Sequence, residues 1–585
     1  MPDTEPSSPA AKPRRKSSRR LVVGSTVLLL AGLFVYLPAL HGNWLWDDGF
    51  TIKDNPLMGE AGGWWKFWFA PPGPDYFPLT STVEWGLWRV FGDHTFPFHV
   101  ACLGLHLLSA FLIWALFKRL GLKLALLGAL LFVVHPLAVE SVAWISELKN
   151  TVSLPLLLGA MLCWLYYDDE KKQSKFYFGA LVLFLAALLA KTSVVMLPFV
   201  LLLYTWWKYG RITRKKFVAT IPFFAVAFVL GVLTMFFQKQ WAIGTEAIDT
   251  GGPVGRAAGA GWALLFYTGK FFWPMHLMPA YPPWSFNHYD VTQLLPWLVP
   301  AGVGAVLWWR RSDPWARAGL LGLGFFALNL APVLGFLTMS YMRIAWVADH
   351  FAYVPMIGLI GLVALGVDKL LAASPRAALP IAAGTLVLLT YLLAAQSYNY
   401  AENFRDQTAL WSYTLKLNPN SWLAELNLGL SLTEMRDLPR AEMHLRKSIA
   451  LHDNFYGTHM ALANIVAQMG RNEEAAGEYA QALKLSPDSI SAHVNYGIVL
   501  SRLHRDKESE GQYYLATLCP AQSPANLANL AMAHFNLAYV YQQQGKKAEA
   551  IRQFQAVLEI QPGTPGVKEA LAKLGAGSGE QGGGH

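Results

Sequence analysis

The sequence predicts an all-α protein in two parts, a polytopic transmembrane helix bundle of about eleven spans followed by a solenoid of helical repeats. Three observations carry this. Apolar runs of membrane-spanning length recur over the first 400 residues. Basic residues collect in alternate loops between those runs. A period of 34 residues appears after Asn418. Composition agrees: 54% of the 585 residues are hydrophobic and only 15% charged, with the charge concentrated in the last third, so a purely soluble chain is excluded.

Residues 1–20 form a basic tail carrying Lys12, Arg14, Arg15, Lys16, Arg19 and Arg20, and an uncharged run over 21–40 follows directly. The run exceeds the apolar core of a signal peptide, about 7 to 15 residues, and many spans follow it. It is therefore expected to be an uncleaved first span with the tail in the cytoplasm. Further spans are expected near 97–117, 122–137, 151–167, 176–190, 193–207, 217–237, 293–309, 316–338, 350–367 and 377–397. Lys118, Arg119 and Lys123, then Lys171, Lys172 and Lys175, then Lys208, Arg211, Arg214, Lys215 and Lys216 mark the cytoplasmic loops. If 257–275 crossed as well, Arg310, Arg311, Arg317, Lys369 and Arg376 would fall outside, so that segment is read as re-entrant or interfacial. The membrane domain is then 21–400, with outer loops 41–96, 136–150 and 238–292, and the C-terminal domain emerges on the outer side.

The repeat domain is expected over 401–572. Its turn position runs Pro419, Asp453, Pro487 and, after an insertion of roughly seven residues, Pro562. Small residues recur at Gly429, Ala463, Gly497 and Ala538, and second-helix positions at Ala441, Ala475, Ser509 and Ala550, then Leu445, Tyr479, Tyr513 and Phe554. Such alternation lets paired helices close-pack and stack, which is the pattern of tetratricopeptide repeats, here four with a preceding half-repeat around Trp411. The concave face of such a solenoid suits a protein or peptide partner. The tail 573–585, rich in glycine, is expected to be disordered.

The net charge of +9 resides in the tail and the membrane loops, so membrane orientation explains it and no nucleic-acid partner is called for. Cys102, Cys163 and Cys519 have neither disulfide nor metal-ligand spacing. No phosphate-binding loop, dinucleotide fingerprint or Ser-His-Asp arrangement is present. Chemistry is expected at the outer rim instead. Asp47, Asp48, Glu140, Glu147, Lys149, Lys191, Arg343, Asp349 and His350 lie in separate loops that the topology brings to one face, either as one polar site or as individually solvated residues. Asp47 and Asp48 directly follow the first span, where paired carboxylates are costly unless hydrated, paired or used. One of them can act as a general base on an acceptor hydroxyl; a turn or helix cap is the simpler role. In the stretch 135–150, a helix would put Glu140, Trp144 and Glu147 on one face suited to a metal or a sugar; alternatively His135-Pro136 only ends the span. The aromatic segment 64–69 is read as interfacial.

In this order, WLWDDGFTIKDNP (44–56), HPLAVESVAWISELKN (135–150), KTSVVMLP (191–198), FWPMHLMPAYP (272–282), VADHFAYVPMIGL (347–359) and FRDQTALWSYTLKLNPNS (404–421) resemble the tetratricopeptide-repeat glycosyltransferases of the GT-C class, including bacterial relatives of the protein O-mannosyltransferases. The resemblance implies an inverting glycosyltransferase that moves a sugar, mannose or another hexose, from a polyprenyl-phosphate donor to an acceptor such as a protein Ser/Thr hydroxyl. It further implies a bacterial inner membrane location with the repeats on the periplasmic side. An aspartate of the pair Asp47 and Asp48 is then the catalytic base, with Asp47 preferred. Glu140, Trp144, Lys149, Lys191, Arg343, Asp349 and His350 become substrate-binding candidates, and Lys191, Arg343 and His350 are suited to a departing phosphate. Some GT-C enzymes bind a divalent metal at the second acidic loop, which makes Asp48 and Glu140 candidate ligands for magnesium or manganese. The chain departs from its relatives at Phe77, where an arginine often precedes the proline, and this puts one phosphate contact in question. Two rival classes are a transporter, disfavoured because the middles of the spans are nearly free of charge, and a non-catalytic membrane-anchored scaffold for envelope assembly, which needs neither aspartate.

Overall fold

The computed structural model describes residues 14–69, 76–169, 173–243, 248, 250–521 and 524–575. Among these there are helices of several kinds and no strand. The chain forms two compact units, Met1–Tyr413 and Thr414–His585. Most of the basic tail and residues 576–585, expected to be disordered, lie outside the described residues.

Seven described helices in the first unit are long and apolar enough to cross a membrane: Phe96–Arg119, Ile145–Asp169, Arg214–Gln240, Val291–Trp309, Pro314–Val333, Met356–Ala373 and Arg376–Phe404. An eighth candidate is a broken pair, Ala125–Val134 and Pro136–Ala143, bent by 60°. The break has a local cause. Proline lacks the N–H that a continuing helix needs and restricts the residue before it, and His135 accordingly turns extended, accepting from the Leu137 N–H at Nδ1 (3.2 Å) and approaching the Phe271 carbonyl with Nε2 (3.0 Å). The count of eleven adds three shorter helices, Leu21–Tyr36, Ser174–Ala190 and Leu197–Tyr209. Ser174–Ala190 and Leu197–Tyr209, at 17 and 13 residues, fall short of the roughly 20 residues of a straight crossing, whereas Leu21–Tyr36 is the apolar part of the longer helix Arg14–Tyr36; seven or eight of the described helices are long and apolar enough by length and composition.

Within the expected outer loop 238–292 lies a helix, Gly252–Phe272. Its glycines serve close packing: a Cβ on Gly259 would sit 2.2 Å from the Trp346 ring and one on Gly261 2.8 Å from Trp297. Trp297 returns a hydrogen bond from Nε1 to the Ala257 carbonyl (2.7 Å).

The second unit contains four tetratricopeptide repeats, with helix pairs Trp422–Glu434 and Leu438–Leu451, Tyr456–Gln468 and Asn472–Leu485, Ile490–Arg502 and Asp506–Leu518, Pro524–Gln543 and Lys547–Ile560, followed by Val567–Lys573. The insertion expected before the fourth repeat appears as added length, its first helix having 20 residues against 13 in the others. Small residues stand where second-helix side chains press inward. A Cβ on Gly429 would lie 2.8 Å from Leu445, and one on Gly497 2.5 Å from Tyr513.

A polar ladder accompanies this packing, and it went unread in the sequence. His459, His493 and His534 occupy one position of the first helix and meet Glu478, Gln512 and Gln553 on the second, each through Nδ1 at 2.6–2.7 Å. The first repeat reverses the pair as Glu425 and His444 (2.6 Å). The Glu478 carboxylate raises the pKa of His459 above the usual imidazole value, against the opposing effect of burial. A raised folded-state value stabilises below the unfolded pKa, about 6.5, and that contribution is lost as pH rises through the folded value. Helix Tyr456–Gln468 should therefore lose hydrogen-exchange protection as pH rises above about 6.5, after correction for intrinsic rates. Glu478→Gln, which copies the neutral partner of the third repeat, should flatten this dependence; an identical slope in the variant would show that the pair does not control it.

Candidate active site

The site begins where the first span ends. The loop after it is pinned to the segment around 404: the Asn43 N–H bonds the Arg405 carbonyl (2.8 Å), and a Cβ on Gly42 would come within 2.9 Å of the Phe404 oxygen. Trp46 then takes φ = 40°, a left-handed conformation that a bulky residue adopts only under constraint. Its ring stacks on Trp144 (5.1 Å, interplanar 2°) and meets Trp411 edge-on (5.0 Å, 74°).

Beyond this turn the two aspartates part company. Asp47 remains partly exposed, whereas Asp48 is fully buried. The Asp48 carboxylate accepts from the Leu45 N–H (2.8 Å), the Ser146 N–H (2.7 Å) and the Ser146 hydroxyl (2.5 Å). Burial pushes this carboxyl up to about 7, against the hydrogen bonds from Ser146 and Leu45, which favour its ionised form. Asp48 thus has a turn role and a second one, since it ties the first acidic loop to Ser146 and so to Glu147.

The second acidic loop corrects the expectation of a continuous helical face. Val139–Ala143 is helical, Trp144 is extended (φ −96°, ψ 122°), and Ile145–Glu147 is a 3-10 turn. Trp144 leaves the helix to cover Trp46, and its Nε1 points to the Leu45 carbonyl (3.4 Å). Glu140, Trp144 and Glu147 are nevertheless gathered in space, because His350 lies among them. Its Nδ1 and backbone N–H both reach the Glu140 carboxylate (3.1 Å each), its Nε2 lies 3.9 Å from Glu147, and its ring stands edge-on to Trp144 (6.3 Å). Glu147 is the hub: its carboxylate meets Lys149 (3.2 Å), Lys191 (3.1 Å) and Asn150 Nδ2 (2.5 Å). Glu140, Glu147, Asn150, Lys191 and His350 are buried and Lys149 is partly so, and each touches another of the group, so the alternative of independent solvated loop residues does not describe them. Breaking such a buried pair typically costs about 3–5 kcal/mol.

The remaining candidates occupy the margins. Asp349 is buried and accepts from the Tyr281 hydroxyl (2.7 Å) and the Tyr400 hydroxyl (3.0 Å); burial and the charge of Glu140 push it up to about 8. It locks three segments together instead of presenting itself to a cleft. Arg343 is half-buried on the turn Ser340–Arg343, close in sequence to Tyr341, whose ring packs on His350 (5.7 Å). The segment Gly63–Phe69 is a short helix exposing Trp64, Trp65 and Phe69. Sequence reasoning overlooked Glu84 on helix Pro78–Phe91, a buried carboxyl pushed up to about 8 by burial, with the charge of Lys149 opposing and that of Asp48 adding. It also overlooked Asn329, which lines a small pocket with Lys191, His350, Asn150, Val333 and Val354.

A divalent metal does not fit this arrangement. Among the described residues no group of three or more His, Cys, Asp or Glu side chains is disposed to hold an ion, and Asp48 and Glu140 direct their oxygens to protein donors.

Comparison with known proteins fits the two-part architecture. Residues 73–236 match the dolichyl-phosphate-mannose-protein mannosyltransferase family, and residues 460–526 and 531–564 match tetratricopeptide-repeat families. The first match falls within the membrane unit and the other two within the repeats. It is similar to the protein O-mannosyl-transferase F38B6.6 of Caenorhabditis elegans, 22% identical over 477 residues that make up 77% of this chain and 65% of that one. It is also similar to protein O-mannosyl-transferase TMTC3 of Homo sapiens, 26% identical over 34% of this chain and 22% of the human protein. The chain thus spans less than two thirds of these relatives. Among solved structures, the tetratricopeptide-repeat protein YrrB covers 31% of this chain and 91% of its own at 18% identity and a TM-score of 0.25.

The Asp48 lock makes its own prediction. Either end of the carboxylate faces a backbone N–H, so Asp48→Asn must aim its amide at a donor. This should destabilise the loop by about 1–3 kcal/mol and lower the thermal midpoint of the detergent-solubilised protein, more than Asp47→Asn does. An unchanged midpoint for Asp48→Asn would contradict the lock.

Proposed function

We propose that the protein is an inverting glycosyltransferase of the GT-C type that transfers a hexose, mannose by analogy with the named relatives, from a polyprenyl-phosphate carrier to a protein Ser/Thr hydroxyl on the non-cytoplasmic face. The observation that carries this reading is the division of labour between the adjacent aspartates. Asp48 is buried and committed to Leu45 and Ser146, while Asp47 is partly exposed on the same turn. Ser146, held by Asp48, immediately precedes Glu147, so this turn adjoins Lys149, Lys191 and His350, which gather around the Glu147 carboxylate.

In this reading Asp47 takes the proton of the acceptor hydroxyl as its oxygen attacks the anomeric carbon, and the bond from that carbon to the phosphate oxygen breaks on the opposite side. The charge that develops on the leaving phosphate is met by Lys191 and His350, which line the pocket beside Asn150 and Asn329. Glu147 holds both lysines in place before substrate arrives (3.2 and 3.1 Å), so little reorganisation accompanies the step. No step requires a metal.

The orientation implied by the basic loops places this site and the repeats outside the cytoplasm, and the repeats suit a polypeptide acceptor or a partner protein. Reconstituted in nanodiscs with a mannosyl-phosphoryl polyprenol and a Ser/Thr peptide, the wild type should transfer mannose. Asp47→Asn should lower kcat by about 10²–10⁴-fold while donor binding stays near the wild-type level. Full transfer by Asp47→Asn would remove this residue from the base role.

A further inference from the structure

Helix Gln407–Leu417 comes last before the first complete repeat. Its Trp411 is fully buried and donates Nε1–H to Gln407 on the preceding turn (2.7 Å). That bond orients the indole so that it meets the Trp46 ring edge-on at 5.0 Å. Trp46 is thereby enclosed on two sides, with Trp144 stacked flat against it. A left-handed tryptophan is strained and persists only where its surroundings over-determine it. The stacked and edge-to-face ring contacts add stabilisation beyond burial that can hold the turn. The backbone repeats the attachment, since Asn43 donates to the Arg405 carbonyl (2.8 Å) and Gly42 passes close to Phe404.

We propose that Trp411 is a positioning residue for the transfer reaction: acting through Trp46, it holds the left-handed turn that keeps Asp47 partly exposed and Asp48 buried. The proposal rests on the reading of Asp47 as the base. It explains why the segment leading into the repeats carries a large buried aromatic whose neighbour lies in the first outer loop, some 360 residues earlier in the chain. A core tryptophan with no such task would need only volume around it. Here the contact falls on the one described tryptophan with positive φ, immediately before the aspartates.

The test uses full-length Trp411→Ala and Trp411→Phe in nanodiscs, read by hydrogen exchange over peptides covering 43–53 and by transfer kinetics. Trp411→Ala should speed exchange in 43–53 by about tenfold or more, leave exchange in 148–169 unchanged, and lower kcat by about tenfold or more with the donor KM within about twofold. Trp411→Phe, which keeps an aromatic edge, should restore most of both. Unchanged exchange in 43–53 overturns the proposal, as does faster exchange there with full kcat. Loosening that extends equally to 148–169, or that phenylalanine does not repair, marks Trp411 as a general packing residue and also overturns it. If the wild type transfers no sugar, the glycosyltransferase reading itself fails; the exchange data then still show separately whether Trp411 holds the loop.

Discussion

The buried carboxylate of Glu147 is the constraint on which the rest of the site depends. A lone ionised carboxylate in an apolar helix bundle is prohibitively costly, and this one is tolerated because Lys149, Lys191, Asn150 and His350 converge on it. Those partners come from the start of one helix, the end of another and the loop before Met356–Ala373. Satisfying one charge therefore fixes three separate segments at the same depth. Glu140 extends the arrangement by holding the other side of His350, and Asp48 attaches the first outer loop through Ser146.

The same constraint makes the site chemically useful. Cations already fixed by a buried partner offer a preorganised seat for an anion, which is worth more than mobile lysines in water because no reorganisation is needed when charge appears. A membrane-anchored scaffold has no use for such a cluster. Transport is also poorly served, since the ionisable groups gather beside one set of loops rather than along a path through the spans. The repeats follow a separate logic: glycine or alanine where helices touch, and a histidine ladder where each pair needs a polar tie.

Much of this was legible in the sequence because it was written in periods and runs. The 34-residue repeat, the apolar segments and the acidic outer loops each follow from patterns that physics makes regular. Less legible was anything set by long-range packing. The helical spacing of Glu140, Trp144 and Glu147 suggested one face, but stacking of Trp144 on Trp46 pulled the chain out of the helix. Glu84 gave no signal, since a single carboxyl in an amphipathic stretch reads as solvated and only the fold buries it. Likewise, no local pattern distinguishes Asp47 from Asp48; the left-handed turn at Trp46 does. The histidine ladder was open to detection at the repeat period and was passed over because that position is polar.

The central claim is that a partly exposed Asp47 performs sugar transfer beside a buried, structural Asp48. It is tested most directly by mass spectrometry of envelope glycoproteins and glycolipids from cells lacking the gene, complemented at matched protein levels with wild type, Asp47→Ala or Asp48→Ala. The account predicts a hexose on Ser/Thr that disappears on deletion, returns with wild type and stays absent with Asp47→Ala. Restoration of the glycan by Asp47→Ala would contradict it.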